Sequence, residues 1–133
     1  MIDTNRIIRA HLAANAGFVA LVGARIYCPR LPENATLPAV SFFTRGGIST
    51  PYIPEIVSPS IQFDCWADDP IEARSIYRAL FDALQGIQDT KITIGGTDYW
   101  ILGAREEVQG QDLVDAEIPN YFRVLTFFEI MIR

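Results

Sequence analysis

His11 is the only histidine of the chain, so a histidine-based nucleophile triad would have to run through it. It stands beside Leu12 in a helical pattern, with no serine or cysteine in a nucleophile motif, and reads as an ordinary surface or helix-edge histidine. Metal chemistry needs ligands at short fixed spacings, and C-x-x-C, H-x-x-x-H and H-E-x-x-H are all missing. Gly46-Gly47 and Gly95-Gly96 lack the spaced third glycine or the Gly-Lys-Ser/Thr that would cradle a phosphate, so both pairs read as turns. No catalytic, cofactor-binding or metal-ligating residue is assigned, and no cofactor is expected.

A run of acids is the strongest polar feature. Glu106, Glu107, Asp112, Asp115 and Glu117 occur with no Lys or Arg between Arg105 and Arg123. A calcium loop would alternate acids around a central glycine, which Asp112-Leu113-Val114-Asp115 does not do. A carboxylate pair for glycoside cleavage is conceivable, but nothing marks a substrate cleft. Two readings stand: a solvated loop, or an acidic surface that lines a channel or meets a partner. The second feature is an apolar prolyl stretch, Gly46 to Pro59, with Pro51, Pro54 and Pro59 among Ile48, Tyr52, Ile53, Ile56 and Val57. Its greasy side chains either fold back on their own core or bury against another subunit.

The elements that would position these stretches follow from pattern. Asp3 or Thr4 can cap a helix carrying Ile7, Ile8 and Leu12, and Phe18 to Val22 makes a short apolar turn closed by Gly23. Arg25–Cys28 and Ala39–Thr44 read as strands, separated by a proline loop. From Ser60 to Ala67 the residues alternate, with Ile61, Phe63, Cys65 and Ala67 on one face and Gln62, Asp64 and Trp66 on the other. Asp69-Pro70-Ile71-Glu72 carries the start signals of a helix whose buried stripe is Ala73, Ile76, Tyr77, Leu80 and Leu84. Lys91–Ile94 and Tyr99–Leu102 flank a glycine turn and form a hairpin. Val108 to Asn120 reads as a second long connection. Tyr121 to Ile132 is a final strand, apolar on both faces and therefore central or covered twice. The expected fold class is α+β: a mainly antiparallel β-sheet with two helices packed on one face, a two-layer sandwich forming one domain over residues 1–133.

Composition sets the limits. The 133 residues fit one domain and bury enough surface for a core without metal or disulfide. Half the residues are hydrophobic and 20% charged, which excludes a disordered chain. The net charge is -5 and no Lys/Arg cluster occurs, which argues against binding to the outside of DNA. Cys28 and Cys65 read as reduced core thiols, with a disulfide between neighbouring strands as the other reading. No secretory signal and no membrane span is expected.

Three segments together resemble a known family. The N-terminal helix leads into Leu21-Val22-Gly23-Ala24-Arg25-Ile26-Tyr27 and, past a proline loop, Leu37-Pro38-Ala39-Val40-Ser41-Phe42. Ile61-Gln62-Phe63-Asp64-Cys65-Trp66-Ala67-Asp68 runs into a helix with Glu72-Ala73 near its start and Leu80-Phe81-Asp82-Ala83-Leu84 near its end. A closing strand, Tyr121-Phe122-Arg123-Val124, follows an acidic segment with Gln111-Asp112-Leu113. The pattern resembles the tail-completion, or tail terminator, proteins of long-tailed bacteriophages and prophages, over nearly the whole chain.

The resemblance implies a structural virion protein of the tail and neck, assembled in the bacterial host cytoplasm, with no catalytic residues. It implies a homo-oligomeric ring, commonly a hexamer, on the head-proximal end of the tail tube. The ring stops tube polymerisation and offers a joining surface to a head connector or stopper protein. DNA passes through its lumen without sequence-specific binding. A ring needs two different patches per subunit. Tyr52, Ile53, Ile56, Leu113, Val114 and Ile118 are the candidate subunit or tube interface. Glu106, Glu107, Asp112, Asp115 and Glu117 are the candidate lumen residues, since acidic walls repel DNA and let it slide. The rival readings are another neck component, a connector or stopper, and a small hydrolase or ligand-binding domain using the acidic stretch.

Overall fold

A computed structural model describes residues 2–49, 52, 55–114 and 121–133. The protein is a mixed α+β domain, with three helices and one six-stranded sheet among the described residues. Helix α1 (Thr4–Ala14) starts where the Asp3 side chain accepts from the Arg6 N–H. Asn15 then serves two helices. Its backbone closes α1 and its Oδ1 accepts from the Phe18 N–H at 3.0 Å, opening α2 (Ala16–Val22). The apolar turn expected after α1 is thus a helix of its own, ended by Gly23 at φ 60°. Strand β1 (Ile26–Tyr27) leads through the proline loop to β2 (Ala39–Ser49) and β3 (Val57–Ala67). Helix α3 (Pro70–Leu84) begins at the expected signals, with Asp69 capping the Ile71 N–H and Pro70 in the first turn. Strands β4 (Gln88–Ile94), β5 (Thr97–Val114) and β6 (Phe122–Ile132) complete the chain.

The strand order is β1-β2-β3-β6-β5-β4, antiparallel except for the short parallel β1–β2 pair. Strand β6 lies between β3 and β5, the central place its two apolar faces called for. The alternation in β3 holds: Ile61, Phe63, Cys65 and Ala67 are buried. Across from them β6 buries Val124, Phe128, Ile130 and Ile132. These meet Ile7, Ile8 and Leu12 of α1, Phe18 and Val22 of α2, and the Ala73, Ile76, Tyr77, Leu80 and Leu84 stripe of α3 in one hydrophobic cluster. At its centre Phe63 has ring centroids 5.8 Å from Phe42 and 5.8 Å from Phe128, and Phe81 of α3 lies 6.5 Å from Phe128. Burying each such ring stabilises the fold by roughly 1.5–3 kcal/mol.

Two expected connections are in part strand. The prolyl stretch Gly46 to Pro59 does not form one long loop, because β2 and β3 stay paired out to Ser49 opposite Val57. Proline lacks the N–H that a central strand needs, but Pro59 pairs opposite Gly47, where the register shifts after Thr44. Gly47 makes that approach possible: at φ +141°, a Cβ there would come within 2.4 Å of the Ser58 carbonyl oxygen. The acidic connection Val108 to Asn120 is likewise corrected, since β5 runs 18 residues to Val114. Three register shifts, at Ile101/Gly103, Glu106/Val108 and Val108/Gln111, keep β5 on β6 while breaking the period-two pattern a strand is recognised by.

Candidate functional site

Register fixes where the candidate surfaces lie. In β3 and β6 Val57 pairs with Ile132 at one end, and Ala67 with Phe122 at the other. The paired ends of β2 and β3, Ser49 and Val57, therefore sit at the Ile132 end of the sheet, and Val114 of β5, paired with Phe122, at the opposite end. At the β2–β3 tip Ile48 is 73% exposed and Tyr52 91% exposed, while Ile56 is half-buried. Ile53 lies outside the described residues. At the far end Leu113 is half-buried and Val114 closes β5. Ile118, Asp115 and Glu117 lie outside the described residues. The two stretches nominated as interfaces are thus not neighbours; they mark opposite ends of one sheet.

The described acids do not share a face. Glu106 is half-buried on the helix side, where its Oε2 accepts from the Tyr77 hydroxyl at 2.5 Å and lies 2.9 Å from Thr126 Oγ1. Glu107 is exposed and turns the other way, accepting from Ser60 Oγ at 2.6 Å. Asp112 returns to the helix side and pairs with Arg74 at 3.5 Å, a pair exposed enough to contribute little. Strand alternation gives this division: Glu106 and Glu107 are adjacent, and the two register shifts between Glu106 and Asp112 cancel.

Helix α3 takes the place of a neighbouring strand along this part of β5. Strand β4 pairs with β5 only from Thr97 to Gly103. Beyond it the Gly86 N–H donates to the Ala104 carbonyl and the Glu106 N–H to Gln85 Oε1. The Gly110 N–H donates to the Tyr77 hydroxyl at 3.0 Å, and Arg74 donates to the Gly110 carbonyl at 3.2 Å. Burial and the Glu106 carboxylate push the Tyr77 hydroxyl pKa up, so it stays a donor at neutral pH. Side chains here occupy an edge that would otherwise offer unpaired backbone groups. Sequence reading placed Tyr77 in the apolar stripe and missed this role, because a hydroxyl's partner 33 residues away leaves no local signal.

The other face of the sheet carries a polar lattice. Asp64 is buried, and burial raises its pKa against the lowering effect of Gln62 and of Arg123, whose Nη1 lies 3.3 Å away. The Trp66 indole donates to Ser41 Oγ at 2.9 Å. Arg45 stacks its guanidinium 3.9 Å from the Phe127 ring centroid and donates to Ser60. Glu129 accepts from Ser58 Oγ at 2.8 Å and from Arg105 Nη2 at 2.5 Å, and these bonds lower its pKa below the usual 4.5. A folded pKa below the unfolded one means that the folded chain binds this proton less tightly. The stabilisation is complete above about pH 4.5 and is lost as pH falls through the lower folded value. Thermal melts of wild type and Glu129→Gln are expected to differ most near neutral pH and to converge in acid; a gap that widens in acid would refute the assignment.

The groups examined for chemistry are engaged otherwise. His11 Nε2 lies 2.9 Å from the Ala83 carbonyl oxygen and ties α1 to α3. Cys28 and Cys65 are free thiols; Cys65 is wholly buried and Cys28 half-buried, and burial pushes both pKa values up, away from a reactive thiolate. Among the described residues no group of three His, Cys, Asp or Glu side chains could hold a metal ion. No described helix is long and apolar enough to cross a membrane. A groove of about 450 Å³ does open at the Phe122 end, between Arg30–Asn34 of the proline loop and the Trp66–Tyr121 pair, whose rings meet edge to face at 6.2 Å. The sequence hint for it was Trp66, a large aromatic on the face of β3 away from the core.

No curated protein sequence matches the chain. Among solved structures, a chain from the "virion of native gene transfer agent (GTA) particle" shares this fold with a TM-score of 0.62 and 18% identity, covering 99% of this chain and 98% of that one. The sequence model of the family described as "Tail completion protein gp17" matches residues 6–120. With residues 6–120 matched, the chain belongs to the tail completion protein gp17 family, structural proteins of the phage virion and not enzymes.

Proposed function

We propose that this protein closes the head-proximal end of a phage tail tube as a ring of identical subunits, commonly six, stopping tube polymerisation and giving the head connector or stopper protein a surface to join. DNA passes through the ring's lumen. The sheet and helices act as two layers of a rigid block, and the work is done at the ends of the sheet. One observation supports the reading: in a chain of the tail completion family, the strand ends that lead into the two nominated stretches, Ser49 and Val57 on one side and Val114 and Phe122 on the other, lie at opposite ends of a single sheet. A ring subunit needs two different patches, and a two-ended build supplies them. Tyr52, Ile53 and Ile56 at one end, and Leu113, Val114 and Ile118 at the other, are the candidate contacts to a neighbouring subunit or to the tube.

An acidic lumen fits Glu107, whose side chain is exposed, better than Glu106, which Tyr77 and Thr126 already engage. Asp112, Asp115 and Glu117 would extend it near the Val114–Phe122 turn. Six chains at -5 carry a charge near -30, which repels DNA from the walls and keeps it sliding.

The test is tube assembly in the bacterial host cytoplasm and with purified tube protein, followed by negative-stain microscopy. With this chain present, tubes of uniform length capped at one end are expected; without it, tubes of uncontrolled length. Tubes that grow alike in both cases, with the chain bound to portal or connector rings instead, would assign it to another part of the neck.

A further inference from the structure

Two features at opposite ends of the molecule fit one another. The arm formed by β2 and β3 exposes Ile48 and Tyr52, with Arg45 and Glu55 exposed beside them. The groove at the other end has Leu31, Pro32, Trp66 and Tyr121 in its lining, with Arg30 and Glu33 exposed at its rim. Each end therefore offers apolar surface flanked by one charge of each sign. Strands β2 and β3 are 11 residues each, and at about 3.3 Å per residue they hold these ends roughly 30 Å apart. A chain cannot fill its own groove with its own arm.

We propose that the arm of one copy seats Ile48 and Tyr52 in the Trp66–Tyr121 groove of the next copy. This rests on the ring reading and names the contact that builds the ring. The occupant is a second copy because apolar surface meets apolar surface and opposite charges match between the two ends: Glu55 can face Arg30. Two different patches meeting in this way make a heterologous contact, the kind that closes into a ring when the rotation between copies allows it. The groove's edge-to-face aromatic pair gives an apolar wall for the isoleucine, and the tyrosine keeps its hydroxyl at the wet rim.

Complementary half-broken chains test this by light scattering. Ile48→Asp spoils the arm and spares the groove; Leu31→Asp spoils the groove and spares the arm. Each alone is expected to run as a single chain of about 14.9 kDa. Mixed in equal amounts, they hold one intact arm and one intact groove per pair, so dimers and nothing larger are expected. Pro32→Asp, at an exposed rim position, repeats the groove arm of the test if Leu31→Asp fails to fold. Folded variants that keep the wild-type mass, or that never pair on mixing, overturn this contact and leave the ring standing. A ring that survives Ile48→Asp but no longer caps tubes also overturns it, giving the arm to the tube protein. A wild-type chain that forms no multimer at any concentration, alone or on tubes, overturns the contact and the ring together.

Discussion

Phe63→Ala is expected to lower stability by about 3–5 kcal/mol, the range for emptying a fully buried aromatic site. Phe63 is wholly buried at the middle of β3, with Phe42 beside it on β2 and Phe128 across on β6. Its loss leaves a cavity under three central strands, which cannot close without breaking the β2–β3 or β3–β6 ladder. Set against a total of roughly 5–15 kcal/mol for a domain, the change brings the chain close to unfolding. A fall in melting temperature of roughly 10–20 °C is the corresponding readout. Phe63→Leu refills most of the volume and should recover much of the loss. A melting temperature that barely moves in the alanine variant would mean that the core is not organised around this ring.

Gly110→Ala is expected to cost about 3–5 kcal/mol, combining forced displacement of roughly 1–3 kcal/mol with two hydrogen bonds worth about 1 kcal/mol each. The backbone at Gly110 is not in the left-handed region; the reason for glycine is proximity. A Cβ there would lie 2.7 Å from the Tyr77 ring, whose hydroxyl accepts from the Gly110 N–H and donates to Glu106. Pushing the ring away breaks both bonds and leaves the outer edge of β5 uncovered. Tyr77→Phe should then show a smaller loss, since the ring stays and only the hydroxyl goes. Hydrogen exchange localises the effect: amides of residues 104–114 should lose protection in both variants while those of β3 keep theirs. Equal stability of Gly110→Ala and wild type would mean that the strand can shift aside, and that the Tyr77 contact does not hold it.

The local signals in this chain were short-range and strong. Asp69 with Pro70 at a helix start, Gly23 closing the apolar Phe18–Val22 segment, and the alternation through Ile61, Phe63, Cys65 and Ala67 each depend on neighbours within a few residues. Those elements stand where the pattern put them, as does the central place of β6. The prolyl and acidic stretches misled for one shared reason. Bulges at Thr44/Gly47 and along β5 insert residues that break the period of two, so each stretch reads as loop although its partner strand holds it extended.

The candidate surfaces divide in the same way. The sequence by itself determined that metal-ligand and phosphate-loop spacings are missing, that the stretch around Tyr52 carries apolar side chains needing either their own core or another subunit, and that a resemblance to tail completion proteins covered nearly the whole chain. Only the tertiary structure decided that Glu106 and Glu107 face opposite ways, that Tyr77 clasps Gly110, and that the two interface stretches sit at opposite ends of the sheet. The physical reason is range. Composition and local pattern govern interactions within a helical turn or a strand's alternation, whereas strand order and register are settled by packing among residues dozens of positions apart.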